Sequence, residues 1–212
     1  MAQRYKLYSP PGSFRALPPL ISAEYNGIDI EIVTEKVEEI IAKKSPTGKA
    51  PLLECLPSGS VIFSSHAIAR YVAGLRTDST LLGTTQKERM AIDEWLDWTA
   101  CQVELPACVL FYPKLGYMSS NEAATQQARQ DFGTILQLLE TYLSKQPGRY
   151  LVHPQRISLA DIVVVCTLLY PFQLACDPDC LTPYRQVVRW FQQCVQQPEF
   201  VTVIGHVTLF QP

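Results

Sequence analysis

Hydrophobic and polar positions alternate differently in the two parts of this chain. "YKLYS" (5–9) is a short apolar-polar run that ends in Pro10-Pro11-Gly12, which reads as a strand and a turn. Residues 14–26 have helical composition, with Pro18-Pro19 making the early part irregular or restarting it, and Asn26-Gly27 ends the segment. "IDIEIV" (28–33) sets Ile28, Ile30 and Ile32 against Asp29 and Glu31, the period of a half-buried strand. "EKVEEIIAKK" (35–44) is amphipathic at helical spacing. "APLLECL" (50–56) and "SVIF" (60–63) follow as two strands joined through Pro57-Ser58-Gly59, and a helix begins near His66. Strand, helix, strand, helix, strand, strand, helix is the order of a thioredoxin-like unit.

Residues 76–85 read as a linker, and beyond them every periodic segment is helical. Ile92, Trp95, Leu96, Thr99 and Val103 recur at steps of three and four, and the pattern resumes after Pro106, which predicts a kinked helix. Phe132, Ile135, Leu136, Leu139 and Leu143 form a second stripe. The run Ile162–Tyr170 is too short for the roughly 18 residues of a membrane span and predicts a helix buried on all sides. "YRQVVRWFQQCV" supplies another helix. The expected architecture is α/β plus all-α, with a thioredoxin-like domain over 1–77 and an all-helical domain over 84–212.

Composition narrows the function classes. The chain has 212 residues, 47% hydrophobic and 18% charged, with a net charge of −2, values of an ordinary globular protein. No basic run marks a nucleic-acid surface, so no direct nucleic-acid partner is expected. The N-terminus lacks an apolar stretch of signal length, and neither export nor a membrane partner is expected; the predicted location is cytoplasmic. Seven cysteines, none in a C-x-x-C pair, read as reduced thiols buried as small hydrophobes. Cys176 and Cys180 are spaced for a metal, yet no histidine stands at ligand distance, and no metal is expected.

Three segments carry candidate chemistry. In "GKAPLLE" (48–54) a proline opens a strand; a cis Ala50–Pro51 bond fixes the turn and frees the Ala50 amide and carbonyl for an extended ligand backbone. In "ISLADI" (157–162) Ser158 caps a helix, Asp161 reaches back to its amide, and Ile157 staples to Ile162, a structural role. In "VIFSSHAIARY" (61–71), Ser64 and Ser65 open a helix whose N-terminus can seat a carboxylate, or both are simply helix caps.

Together these segments resemble the glutathione transferase superfamily over essentially the whole chain. "FSSHAIARYV", "FYPKLGYM", "ISLADIVVVCTLLYPF" and "RWFQQCVQQPEFVTVIGHVTL" are most similar to the transferase-like N-terminal domain of elongation factor 1 gamma subunits. The resemblance implies a scaffold in translation elongation that binds guanine-nucleotide-exchange subunits. It also implies a further C-terminal domain after a linker, whereas this chain stops at Pro212.

It implies a glutathione site as well, for glutathione or a related thiol as substrate. The turn after the first strand normally supplies the thiol-activating donor. Here it is "SPPGSFR" (9–15), without cysteine; Ser13 falls where serine-type transferases place the hydroxyl, and Ser9 is second choice. The alternative for Ser13 is a helix cap. Tyr8 reads as core. At Ser64 the superfamily usually has an acid that meets the ligand's ammonium group, while Ser65 keeps the usual serine, so the site retains its shape and loses charge. Lys49 is a candidate for the glycyl carboxylate. His66 and Arg70 lie on a helix face that the superfamily uses for homodimer contacts, with surface exposure expected. Trp95, Trp98, Phe111 and Tyr112 either wall an electrophile pocket or belong to the core. The competing reading is an active glutathione S-transferase that uses Ser13.

Overall fold

The computed structural model describes residues 4–145 and 148–209. The chain divides into two compact units between Leu82 and Gly83.

In the first unit β1 (Arg4–Tyr8), a 3-10 turn (Phe14–Ala16), α1 (Leu17–Asn26), β2 (Ile30–Val33), α2 (Val37–Lys44), β3 (Leu52–Leu56), β4 (Ser60–Phe63) and α3 (Ser65–Ala73) follow in order. The sheet runs β2-β1-β3-β4, with β1 and β2 parallel and the other pairs antiparallel. Successive side chains point to opposite faces of a strand. Tyr5, Leu7, Leu53 and Cys55 therefore pack with Ala16, Ala23, Ile68 and Val72 from α1, its preceding turn and α3. Tyr8 and Leu52 pack on the other face with Val37 and Ile41 of α2. Gly27, at φ 61, ends α1 in the left-handed region that favours glycine. Asn26 is buried because its amide donates to the carbonyls of Val72 (2.8 Å) and Ala73 (3.1 Å), closing the last turn of α3.

Alternation in 28–33 holds for only part of its length. Ile28 and Ile30 pack against the core, but Ile32 is 51% exposed. β2 is an edge strand, and Ile32 lies beyond the cover of the helices.

The second unit is helical: α4 (Gln86–Trp98), α5 (Glu104–Phe111), α6 (Glu122–Ser144), α7 (Leu159–Leu174), α8 (Pro178–Leu181), α9 (Arg185–Val195) and α10 (Pro198–Ile204). Between α4 and α5 the helix widens into a π turn, Thr99–Val103, just before the Pro106 at which the sequence predicts a kink. Proline has no N–H for the carbonyl four residues back, and the π turn absorbs the mismatch. Ile92, Leu96, Thr99 and Val103 keep their common buried face across it.

α7 is the central helix, buried from Leu159 through Leu169, and α4, α5 and α9 pack on it. The Asp161 carboxylate accepts from the Ser158 amide (2.9 Å) and hydroxyl (2.7 Å), the Leu151 amide (2.7 Å) and the Trp190 indole (3.0 Å). Glu140 of α6 accepts from the amides of Gln186 (2.9 Å) and Val187 (3.0 Å), supplying the negative charge that the N-terminus of α9 attracts.

Two burial expectations are corrected. Cys101 and Cys180 are exposed, unlike the other cysteines, because one lies on the outer side of the π turn and the other on the short α8. His66 is buried at 9% exposure, since the first turn of α3 packs inward, and Arg70 is half-buried.

Candidate functional site

Sheet register assembles the site in the first unit. Tyr8 pairs with Leu52, and Leu52 pairs with Phe63. The next residue outward on each strand is Ser9, Pro51 and Ser64, so three segments distant in sequence end at one sheet edge. The Ala50–Pro51 peptide bond is cis.

Within this edge the serines behave differently. Ser9 is buried at 1%, and its hydroxyl donates to the Pro10 carbonyl (3.4 Å). Ser13 stands at the N-cap position of the Phe14–Ala16 turn, is half-buried, and makes no capping bond through its hydroxyl. Its backbone closes the turn instead: its amide donates to the Pro10 carbonyl (3.3 Å), and its carbonyl accepts from the Ala16 amide (3.0 Å).

Ser65 is buried at 7% and its hydroxyl donates to the Arg15 carbonyl at 2.6 Å, tying α3 to the turn that carries Ser13. The hydroxyl oxygen still has acceptor capacity, and its proton is committed. Ser64 is exposed, does not cap α3 through its side chain, and has φ 71 and ψ 126. A non-glycine residue rarely occupies that region, and such strain concentrates at functional sites. Neither serine is therefore the side-chain cap that the alternative reading required. Ala50 is half-buried, Pro51 buried and Lys49 exposed, its carbonyl accepting from the Ser45 hydroxyl (3.3 Å).

One set of interactions near the edge had only a faint signal, the single acid in the apolar run 50–56. Glu54 is 7% exposed and accepts from the Tyr8 hydroxyl (2.6 Å) and the Lys44 ammonium (2.6 Å). Those two bonds hold the Glu54 carboxyl below the usual carboxylate range, against the opposing effect of burial. Burial, followed by the Glu54 contact, pushes Tyr8 up to about 12. Tyr8 is thus core, with its proton engaged, and α2 is pinned to the sheet through Lys44.

Of the aromatic candidates in the second unit, Phe111 is buried, while Trp95, Trp98 and Tyr112 are half-buried. Trp95 stacks edge-on against Trp98 (5.1 Å) and Tyr142 (5.0 Å), and Phe111 against Tyr112 (4.8 Å). Ser158 and Asp161 are joined as the capping pair. Among the described residues no cluster of His, Cys, Asp and Glu could hold a metal ion, and no helix is long and apolar enough to cross a membrane.

The glutathione S-transferase N-terminal domain model matches residues 3–74, and the C-terminal domain model matches 104–198. The chain belongs to the glutathione transferase superfamily. Within it, the chain is similar to elongation factor 1-gamma. It is 38% identical over 213 aligned residues to elongation factor 1-gamma-A of Xenopus laevis, covering 96% of this chain and 47% of that protein. It is 33% identical to human elongation factor 1-gamma with the same coverage. The chain thus spans about half the length of the curated relatives it matches. The fold is shared with the GST-like domain of elongation factor 1-gamma from Saccharomyces cerevisiae: TM-score 0.81, 22% identity, 98% of this chain and 95% of that one. Glutathione transferase F2 from Populus trichocarpa also has a TM-score of 0.81, at 21% identity, with 94% and 97% covered.

Proposed function

We propose that this chain is the transferase-like portion of an elongation factor 1 gamma subunit, a cytoplasmic scaffold for the guanine-nucleotide-exchange subunits of that complex. The observation that carries the reading is the similarity to elongation factor 1-gamma across 96% of the chain. The thiol site is a secondary feature, with its backbone platform kept and its charge reduced. Ala50 offers its amide and carbonyl to an extended peptide, and the N-terminus of α3 offers its dipole to a carboxylate. Ser64 supplies no charge for an ammonium group. Co-purification of the chain with a separately expressed exchange subunit tests the scaffold role. Co-elution as one species is expected, and separate elution at micromolar concentrations refutes it.

The uncapped hydroxyl of Ser13 favours a second reading, a serine-type glutathione S-transferase. In that reaction the Ser13 hydroxyl donates a hydrogen bond to the thiolate of glutathione, lowering its proton affinity. The thiol gives its proton to water, and the thiolate sulfur attacks a small electrophile. The carbon–sulfur bond forms as the leaving group departs with its electron pair, or as an electrophilic double bond takes up the electrons and then a proton from water. Ser13→Ala should abolish any turnover with a generic aryl electrophile. Since the hydroxyl caps nothing, stability should change by less than about 0.5 kcal/mol. Unchanged turnover eliminates Ser13 as the activator.

A further inference from the structure

α9 presents Arg185 and Arg189 one turn apart, both exposed. They line a groove of about 860 Å³ together with Val188, Val195, Val201 and Leu209. None of the groove's lining residues is Asp or Glu, although the chain holds 20 acidic residues against 18 basic ones. Among the described residues neither guanidinium forms an ion pair. Glu140, the carboxylate at this helix end, is engaged with the amides of Gln186 and Val187. Like charges four residues apart repel, and Arg185 stands in the first turn of α9, where the helix dipole disfavours a cation.

We propose that the groove docks an acidic amphipathic segment of a partner protein, with its apolar side on the valines and its carboxylates on Arg185 and Arg189. The lining continues along α9 to Gln192 and to Gln196 at its C-cap. The stretch from Arg185 to Gln196 spans about 16 Å at the helical rise, a length suited to about three turns of a docked helix. A compact ligand needs enclosure on most sides instead. His206 adds an imidazole to the same lining. Arginine suits the task because its planar fork meets carboxylates in two parallel hydrogen bonds. The assignment rests on the groove alone and holds whether or not the chain joins the elongation factor 1 complex.

Fluorescence anisotropy on the whole chain tests it. The probe is a labelled model helix of about 20 residues, leucine on one face and glutamate on the other, beside its lysine counterpart. The glutamate peptide should bind, more weakly as salt rises, and the lysine peptide should not. Arg185→Glu with Arg189→Glu should weaken glutamate-peptide binding by about tenfold or more and admit the lysine peptide. Circular dichroism confirms the fold, and Arg185→Gln with Arg189→Gln serves if the reversal disturbs it. Equal binding of both peptides, binding of neither, or indifference to both double variants overturns the proposal. Stoichiometric binding of dodecanoate with no binding of the glutamate peptide also overturns it, and assigns the groove to small anions.

Discussion

Asp161 has no exposed surface and gathers donors from three separate places: the loop at Leu151, the cap at Ser158 and α9 at Trp190. Burial pushes its carboxyl up, and the four hydrogen bonds act in the opposite direction. Asp161→Ala leaves those donors unpaired in a dry interior, and we expect a loss of about 3 kcal/mol or more in urea unfolding. A loss below about 1 kcal/mol means that water replaces the carboxylate. Ser64 is the opposite case, a residue under strain at the surface. Ser64→Gly relieves the positive φ and, after the added chain entropy of glycine, should raise stability by about 1 kcal/mol. Ser64→Glu restores an acid at the site edge and should tighten glutathione binding by about one to two decades in calorimetric titration. No tightening means that the missing charge is irrelevant to this site. The capping pair Ser158 and Asp161 was readable from spacing alone, whereas the strain at Ser64 had no sequence signal.

At the scale of elements, the start of α4 shows how a local signature gains a distant partner. Thr85 and Glu88 form a capping box, and Arg156 adds bonds to both Glu88 oxygens at 2.9 and 3.1 Å. The Thr84 amide, bonded to the carboxylate at 2.7 Å, is the largest cause of a Glu88 pKa lowered from 4.5 to about 2. The folded chain binds this proton less readily than the unfolded chain. The stabilisation is therefore complete above pH 4.5 and lost as pH falls toward about 2. Glu88→Gln should flatten the acid limb of a stability–pH profile in that window, and an unchanged limb would show that other carboxylates set it. The strand and helix periods around these elements were readable because each repeat is a property of the local backbone. The π turn at Thr99–Val103 was not, since its wider hydrogen-bond step leaves the buried face of the helix intact.

At the scale of the molecule, two units of different construction share one chain, and a glutathione S-transferase domain model matches within each. The sequence by itself determined the main succession of strands and helices, the capping pair Ser158 and Asp161 and most of the apolar faces, because these depend on neighbours within a few positions. It also carried the similarity to elongation factor 1-gamma. Tertiary structure alone decided which side chains are spent. The Ser65 proton goes to Arg15, fifty positions earlier, the Tyr8 proton goes to Glu54, and the Ser13 hydroxyl is left uncapped. It also exposed Cys101 and Cys180, buried His66, and left Arg185 and Arg189 beside valines without an acid. These outcomes depend on contacts between segments remote in the chain, and no periodic pattern records which atoms will meet when those segments pack.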